Sequence, residues 1–403
     1  MSGVSARTPP TILTLILMTG VATLSLNMFV PSLVNIATEL GVSYALVSLS
    51  IAGYLAVTAV LQIIIGPLSD RYGRRPVILI GTSIFVLASL GCLLAQDIWL
   101  FLGCRFLQGT IIAGGSLSRV IVRDILPPKE AAAMLGYIAM AMAIAPMLGP
   151  MAGGVLDEFF GWRANFVAFI LVGSALLALM WFDVGETNHE KSATFGAQFR
   201  GYPQILGSGI YWGYAICMSF SVGAFFAFIA GVPLVANVAF DLSTSTLGIY
   251  IGSITGGFFV GSFIAASLAK RCALITLVIA GRLLACTGLG AGLLVFLLGQ
   301  GGVYLFFGAT LFVGLGNGIS MPGCNVGVMS VRSDLAGSAS GLAGAMSMAC
   351  GAVLTWITGI TVSGDDAAPV LLTLMLVVSS VGLVSALWVR KLSADTIPKN
   401  PFP

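Results

Sequence analysis

Twelve long apolar segments separated by short polar stretches leave this chain few possible folds. A helix that crosses a bilayer needs about 20 mostly apolar residues, because it must span an oily core in which only internal hydrogen bonds satisfy the backbone. Segments of this kind occupy residues 11–32, 44–66, 76–95, 98–119, 131–155, 164–182, 209–235, 244–268, 273–298, 302–329, 335–360 and 367–389. The sequence therefore predicts an all-α membrane protein with twelve transmembrane helices.

The composition excludes a soluble protein. Of the 403 residues, 58% are hydrophobic and only 8% are charged, whereas soluble domains carry about 25% charged residues. A net charge of +3 gives no reason to expect a nucleic-acid partner. The seven cysteines lie singly within apolar runs, without the spacing of a disulfide framework or a metal site. We expect them to serve packing, and we expect neither a metal nor a cofactor.

The basic side chains predict the direction of the helices. Lysine and arginine concentrate on the cytoplasmic side of membrane proteins, and here all but Arg163 among the loop and tail cations fall on the side of the termini. These cations are Arg7, Arg71, Arg74, Arg75, Arg123, Lys129, Lys191, Arg200, Lys270, Arg271, Arg332, Arg390, Lys391 and Lys399. We expect an uncleaved first span, both termini in the cytoplasm, and a multi-pass protein of the bacterial inner membrane.

A polar interruption divides the twelve segments into two sets of six. It runs from Asp183 to Ser208 and is the longest between any two apolar segments. The predicted domains are a six-helix bundle at 1–182, a cytoplasmic linker at 183–208 and a second bundle at 209–403. Pro31 and Glu39 have equally spaced counterparts at Pro233 and Asp241, as expected for the repeated halves of a transporter.

The sharpest motif follows the second segment and reads Gly66-Pro67-Leu68-Ser69-Asp70-Arg71-Tyr72-Gly73-Arg74-Arg75-Pro76. We expect it to form the tight turn between spans two and three, where an aspartate beside arginines can make a charge-assisted latch to a neighbouring helix end. The pattern resembles the signature loop of the major facilitator superfamily. The gating residues that this resemblance implies are Gly66, Asp70, Arg71, Gly73, Arg74 and Arg75.

Other motifs are similar to the same superfamily. Span four reads Arg105-Phe106-Leu107-Gln108-Gly109, and span five carries the proline- and glycine-rich stretch Ala145–Gly154, with Pro146, Gly149, Pro150, Gly153 and Gly154. This second stretch resembles the motif of the exporter branches. Within the superfamily, Gly66–Pro76, Arg119–Asp124 and Asn27–Pro31 make the chain similar to drug:proton antiporters of the bicyclomycin/chloramphenicol-resistance type. That resemblance implies two pseudo-symmetric six-helix bundles and an acidic residue where this chain has Asn27.

Few charges lie inside the predicted spans, and these are cationic. Arg105 and Arg282 lie at depth, Arg119 and Asp124 lie near the cytoplasmic edge, and we find no acid clearly within a span. A cavity with arginine and no carboxylate favours neutral or anionic amphipathic solutes over cations. The side chains predicted to line it are Asn27, Tyr54, Gln62, Gln108, Met140, Phe225, Phe226, Phe228, Asn317, Asn325 and Met346.

Span eight carries glycines at four-residue spacing. Gly248, Gly252 and Gly256 form one row, and Gly257 and Gly261 form a second pair. Small residues let membrane helices approach closely. We therefore expect both rows to be helix-packing faces.

Two transport functions remain open. One is a proton-coupled exporter of small antibiotics or toxic metabolites that works by alternating access, and the other is an importer or facilitator of an organic anion. An enzyme is disfavoured, because the sole histidine, His189, lies in the middle loop and no paired intramembrane carboxylates exist. The expected partners are a small-molecule substrate, protons and the lipid bilayer, and we expect a monomer.

Overall fold

A computed structural model describes residues 10–126, 128–188, 202–269, 271–332, 335–364 and 366–395, and these ranges are helical without β-strands. In the described ranges, twelve long helices follow one another: α1 (Ile12–Glu39), α2 (Tyr44–Tyr72), α3 (Arg74–Leu94), α4 (Ile98–Ile125), α5 (Pro128–Phe160), α6 (Arg163–Asp183), α7 (Gly209–Val238), α8 (Thr244–Leu268), α9 (Leu274–Leu297), α10 (Val303–Ser330), α11 (Ala336–Thr361) and α12 (Ala367–Asp395).

Eleven of these helices are long and apolar enough to cross a membrane. The twelfth, α5, has 33 residues, and its stretch from 131 to 155 contains no charged residue. The predicted all-α membrane fold is therefore confirmed. An even number of crossings places the start of α1 and the end of α12 on one side, which we call the terminus face. The opposite side is called the far face.

Two helices are broken within the membrane. α1 consists of Ile12–Asn27, a 3-10 turn at Val30–Ser32 and a short helix Leu33–Glu39. Pro31 explains the break, because proline donates no backbone hydrogen bond. α4 tightens into a 3-10 turn at Gly109–Ile111 before it continues.

The two halves repeat the same local structure at the far face. Ser43 caps the start of α2, and Ser243 caps the start of α8, each accepting a backbone N–H three residues on. The turns before these caps contain Gly41 at φ +64° and Asp241 at φ +48°. Serine is a favoured N-cap residue, so the equivalent turns stop and restart equivalent helices.

Helices α1–α6 pack mainly against one another, as do α7–α12, and two long helix pairs join these halves. The pairs are α5 with α8 and α2 with α11. The described polar contacts between halves lie at the far face. Tyr44 Oη donates to the Ala230 carbonyl at 2.5 Å, and Thr244 Oγ1 donates to the Gly154 carbonyl at 3.1 Å.

Candidate functional site

The basic motif after α2 forms a network of hydrogen bonds centred on Arg74. Its guanidinium donates to Asp70, to Ser69 Oγ at 2.6 Å and to Asp124 Oδ2 at 3.3 Å. Because α4 continues to Ile125, Asp124 belongs to its last turn. Arg74 therefore joins the ends of α2, α3 and α4 on the terminus face.

Most of this motif is helical, which corrects the prediction of a turn running from Gly66 to Pro76. α2 continues through Pro67 to Tyr72, and only Gly73 separates it from α3. Gly73 has φ +104°, and a Cβ there would meet the carboxylate of Glu186. A Cβ on Gly66 would instead meet open space.

An acid in the middle linker completes the network. Glu186 accepts the backbone N–H groups of Arg74 at 2.8 Å and Arg75 at 3.2 Å, which satisfies the unpaired amides at the start of α3. Arg75 donates to the Trp181 carbonyl at 2.8 Å, and Arg71 lies 5.4 Å from the ring centre of Tyr72. Glu186 lies 112 residues after Arg74 in the sequence, so no local pattern links it to the basic motif. Linker residues 189–201 lie outside the described ranges.

Arg105 is completely buried among α1, α2 and α4. Its guanidinium carbon lies 4.0 Å from the ring centre of Phe29 and 5.0 Å from that of Tyr54. Nη1 donates to Gln108 and, at 3.3 Å, to the Ser25 carbonyl. Nε and Nη2 have no hydrogen-bond partner in the described part of the chain. The aromatic rings and the polar contacts together fix the plane of the guanidinium.

Arg282 is the corresponding buried cation of the second half, but it has different partners. Nη2 donates to Asn317 Oδ1 at 2.5 Å, and Asn317 Nδ2 donates to the Ser221 carbonyl at 3.1 Å. The bonds connect α9, α10 and α7. Arg119, in contrast, is exposed on α4, as expected for a side chain that reaches the membrane edge.

The proline- and glycine-rich stretch of α5 lies between the two halves. A Cβ on Gly153 would collide with the Met28 carbonyl of α1, at the break in that helix, and a Cβ on Gly154 would collide with the Thr244 carbonyl of α8. A Cβ on Gly149 would lie 3.1 Å from Leu24 Cδ2. These glycines therefore permit α5 to touch α1 on one side and α8 on the other.

A cavity of about 230 Å³ adjoins this stretch. Its walls come from α5, α7, α8 and α10, and they include Pro146, Phe225, Thr255, Phe258, Asn317 and Met321. None of the described residues that line it is charged. Thr255 Oγ1 has no hydrogen-bond partner there. The cavity can hold an apolar body, and its wall contains one unpaired hydroxyl group, which is itself buried.

Of the predicted cavity residues whose side chains the structure describes, Phe225 and Asn317 line this cavity. The side chain of Met140 lies outside the described part of the structure. The other candidates are buried or lie at other surfaces: Asn27, Tyr54, Gln108, Phe226 and Phe228 are buried, Gln62 and Met346 are half-buried, and Asn325 is exposed.

One buried acid, Asp157, lies just beyond the predicted end of the fifth apolar segment. Asp157 belongs to the last turn of α5 and is only 4% exposed. Asn35 Nδ2 donates to its Oδ2 at 2.7 Å. The fifth apolar segment is predicted to end at residue 155, but α5 continues to Phe160 and carries Asp157 into contact with α1. The nearby pair Glu39 and Arg163 forms a salt bridge at the same face.

The fold and the paired halves define a multi-pass membrane protein of the transporter class. The model of the Major Facilitator Superfamily matches residues 15–355. The chain belongs to the major facilitator superfamily, and the predicted family is therefore confirmed.

Known proteins are similar along most of the chain. An uncharacterized MFS-type transporter of Bacillus subtilis (strain 168), YdgK, is 31% identical over 84% of this chain and 85% of its own length. A bicyclomycin resistance protein homolog of Haemophilus influenzae is 27% identical over 90% of this chain and 92% of its own length.

A solved bacterial homolog of the human lysosomal transporter Spinster, in an inward-facing and occupied conformation, has a TM-score of 0.74. It covers 97% of this chain and 98% of its own, at 16% identity. At this identity the likeness shows the shared fold alone.

Proposed function

We propose that this protein is a proton-coupled exporter of small neutral or anionic amphipathic compounds, including antibiotics or toxic metabolites. The observation that carries the proposal is the double role of α5. Pro146 of this helix walls the apolar cavity, and Gly154, two turns further on, packs directly against α8 of the other half. A change in the contact between the halves therefore alters the cavity wall, as alternating access requires.

The cavity chemistry supports the proposed substrate class. An apolar enclosure with few polar groups binds amphipathic compounds through burial of apolar area, while each polar group fixes orientation. With no charge on its described wall, the cavity gives no electrostatic preference for cations. The likeness to a bicyclomycin resistance protein homolog supports export of small toxic compounds.

The remaining assignments follow from charge and from contacts. The terminus face carries nearly all the loop cations, so we assign it to the cytoplasm of a bacterium and the far face to the periplasm. The described polar contacts at the far face then correspond to a periplasm-closed state. We propose domains at 1–182 and 209–403 joined by a cytoplasmic linker, a monomeric unit, and transport without chemical conversion of the substrate.

Purified protein in proteoliposomes tests this function. Labelled neutral, anionic and cationic amphipathic compounds are loaded, and their movement is measured with and without an imposed pH gradient. We expect gradient-driven transport of neutral or anionic compounds and none in protein-free liposomes. Thr255→Val removes the free cavity hydroxyl, and we expect it to weaken transport of hydrogen-bonding compounds more than that of purely apolar ones. Gradient-independent movement restricted to anions would instead establish the importer or facilitator.

A further inference from the structure

The buried acid of α5 belongs to a small polar cluster at the far face. We define this cluster as Ser32, Asn35, Asp157 and Asn165, contributed by α1, α5 and α6. Asp157 Oδ2 accepts from Asn35 Nδ2 at 2.7 Å, and the Ser32 side chain lies near the carboxyl group. Asn165 Nδ2 donates to Ser32 Oγ at 3.1 Å and to the Gly153 carbonyl at 3.3 Å.

Two acceptor atoms of the cluster lack a donor. Asp157 Oδ1 and Asn165 Oδ1 are both buried and have no hydrogen-bond partner in the described part of the chain. A buried acceptor without a donor is costly, and a buried carboxylate without a cation is more costly still. One additional hydrogen atom on the carboxyl group would supply a donor and would remove its charge.

The charged groups around the cluster do not neutralise Asp157. On α6, Arg163 is paired with Glu39 at the end of α1. Glu158, the next residue on α5, is negative and accepts the Ser245 N–H of α8 at 3.1 Å. Asp241 lies in the turn before α8. Among the described residues, no cation forms a salt bridge with Asp157, and the charged neighbour that acts on it is the negative Glu158.

The cluster is also connected to the contact between halves. Gly153 and Gly154 precede Asp157 by about one turn, and Gly154 and Glu158 on either side of it both bind the start of α8. We call these contacts between α5 and α8 the far-face gate. Expulsion of the Asp157 side chain from the cluster would shift the last turn of α5 and disturb the gate.

We propose that Asp157 is a proton-binding site and that its protonated form holds the far-face gate closed. The proton comes from water on the far face when the gate is open and bonds to a carboxylate oxygen. The resulting O–H donates within the cluster, and reopening of the gate returns the proton to the water of the far face, so Asp157 controls the gate and carries no proton across the membrane. This inference deepens the proposed function by naming the group through which protons act on the gate, and it rests on that function.

Hydrogen–deuterium exchange of the substrate-free full-length protein in lipid nanodiscs tests the site. The measurement follows backbone amides at the start of α8, residues 244–252, at several pD values after correction for the intrinsic exchange rate. We expect slower exchange at acidic pD, with a change of up to about tenfold per unit for a single linked proton. In Asp157→Asn, whose amide supplies a donor without titrating, we expect slow exchange at every pD.

Matched variants separate the site from general effects. Asp97→Asn makes the same chemical change at an exposed far-face position, and asparagine also serves as an N-cap; we expect its pD dependence to equal wild type. In Asp157→Glu, which retains a titratable carboxyl group, exchange at the start of α8 should still depend on pD. This variant also tests the proposal if Asp157→Asn does not reach the membrane. An unchanged pD dependence in Asp157→Asn, or its loss in Asp157→Glu, overturns the proposal.

A bound cation is the competing occupant of the cluster. If sodium at fixed pD slows exchange as acid does, the cluster binds a metal cation and the proton assignment is overturned. Because the measurement uses no substrate and no gradient, its outcome is independent of the transport assay. A pD-dependent gate in a protein that exports nothing would preserve this site while refuting the exporter.

Discussion

At the scale of single residues, the two buried arginines, Arg105 and Arg282, have different surroundings. Arg105 lies between the rings of Phe29 and Tyr54, whereas Arg282 is held by the amide of Asn317. A charge at depth in a bilayer costs at least ~2.5 kcal/mol, so such residues are seldom kept without a role. The aromatic surroundings of Arg105 depend on a flat cation, because only a planar group stacks on a ring and donates in that plane at once.

We predict that Arg105→Lys leaves normal amounts of protein in the membrane but lowers transport at least about tenfold, because a contact to a charged donor contributes about 1.5–3 kcal/mol. Lysine retains the charge and loses the planar fork. Arg105→Ala should abolish transport. Transport per unit of protein is measured in proteoliposomes, with the exposed Arg390→Lys as control. Full transport by the lysine variant would show that Arg105 acts only as a positive charge that holds helices together.

The aspartate of the basic motif supports a second prediction. Asp70→Asn removes the charge that Arg74 bridges on the terminus face, so the ends of α2, α3 and α4 lose part of their connection. We expect strongly reduced transport at normal membrane abundance and a shift in the conformational population. Asp97→Asn, an exposed acid of the far face, should transport normally. Wild-type transport by Asp70→Asn would leave the motif with only a role in orienting the helices.

At the scale of elements, α8 uses its glycines on two faces. A Cβ on Gly248 would collide with the Pro150 carbonyl of α5, and one on Gly252 would lie 3.1 Å from the Met147 carbonyl. Gly257 and Gly261 face α10 instead, at Leu311 and Leu315. The prediction that Gly256 belongs to the same packing face as Gly248 and Gly252 is therefore wrong, because a Cβ on Gly256 would meet no atom within 4 Å.

This difference provides a matched pair of substitutions on one helix. Gly248→Ala should separate α8 from α5 and lower transport, because backbone on the facing helix cannot move aside as a flexible side chain can. Gly256→Ala should retain transport, since it adds a methyl group to open space and favours helix formation by about 1 kcal/mol. Both are compared in proteoliposomes at equal protein amounts. Equal transport by the two variants would show that the contact between α5 and α8 is not limiting.

At the scale of the whole molecule, the two halves meet along α5 with α8 and along α2 with α11. The second contact is tight near the far face, where a Cβ on Gly359 would lie 3.1 Å from Ser48 Cβ. It extends inward to Gln62 and Gly344, where a Cβ on the glycine would lie 2.9 Å from Gln62 Oε1. Alternating access requires the far-face part of this contact to separate during each cycle.

A covalent link across that contact should therefore stop the cycle. In a background without the native cysteines, Ser48→Cys with Gly359→Cys places the two Cβ atoms 3.1 Å apart, a few tenths of an ångström closer than the ~3.5–4.5 Å of a disulfide, so a small adjustment permits the bond. We expect oxidation to block transport completely and reduction to restore it. Each single cysteine variant should transport equally with and without oxidant. Undiminished transport by the cross-linked protein would contradict opening at the far face.

The sequence by itself determined the class of this protein, because the defining properties are local along the chain. The length of each apolar run decides whether a helix can cross the bilayer, and the backbone must satisfy itself within that helix. The basic motif and the stretch from Pro146 to Gly154 can likewise be recognised as short patterns of residues adjacent in the sequence. These features are enough to identify the family without any tertiary contact.

Tertiary structure alone decided which side chains meet. Asp157 reads as a loop acid in the sequence, and it becomes a buried group only because the end of α5 packs against Asn35 of the broken α1. Glu186 caps α3 across a gap of more than a hundred residues. Of the predicted cavity residues, Phe225 and Asn317 reach the described cavity, because its walls depend on how α5 of one half meets three helices of the other. Burial and pairing are properties of helices brought together, and no single helix encodes them.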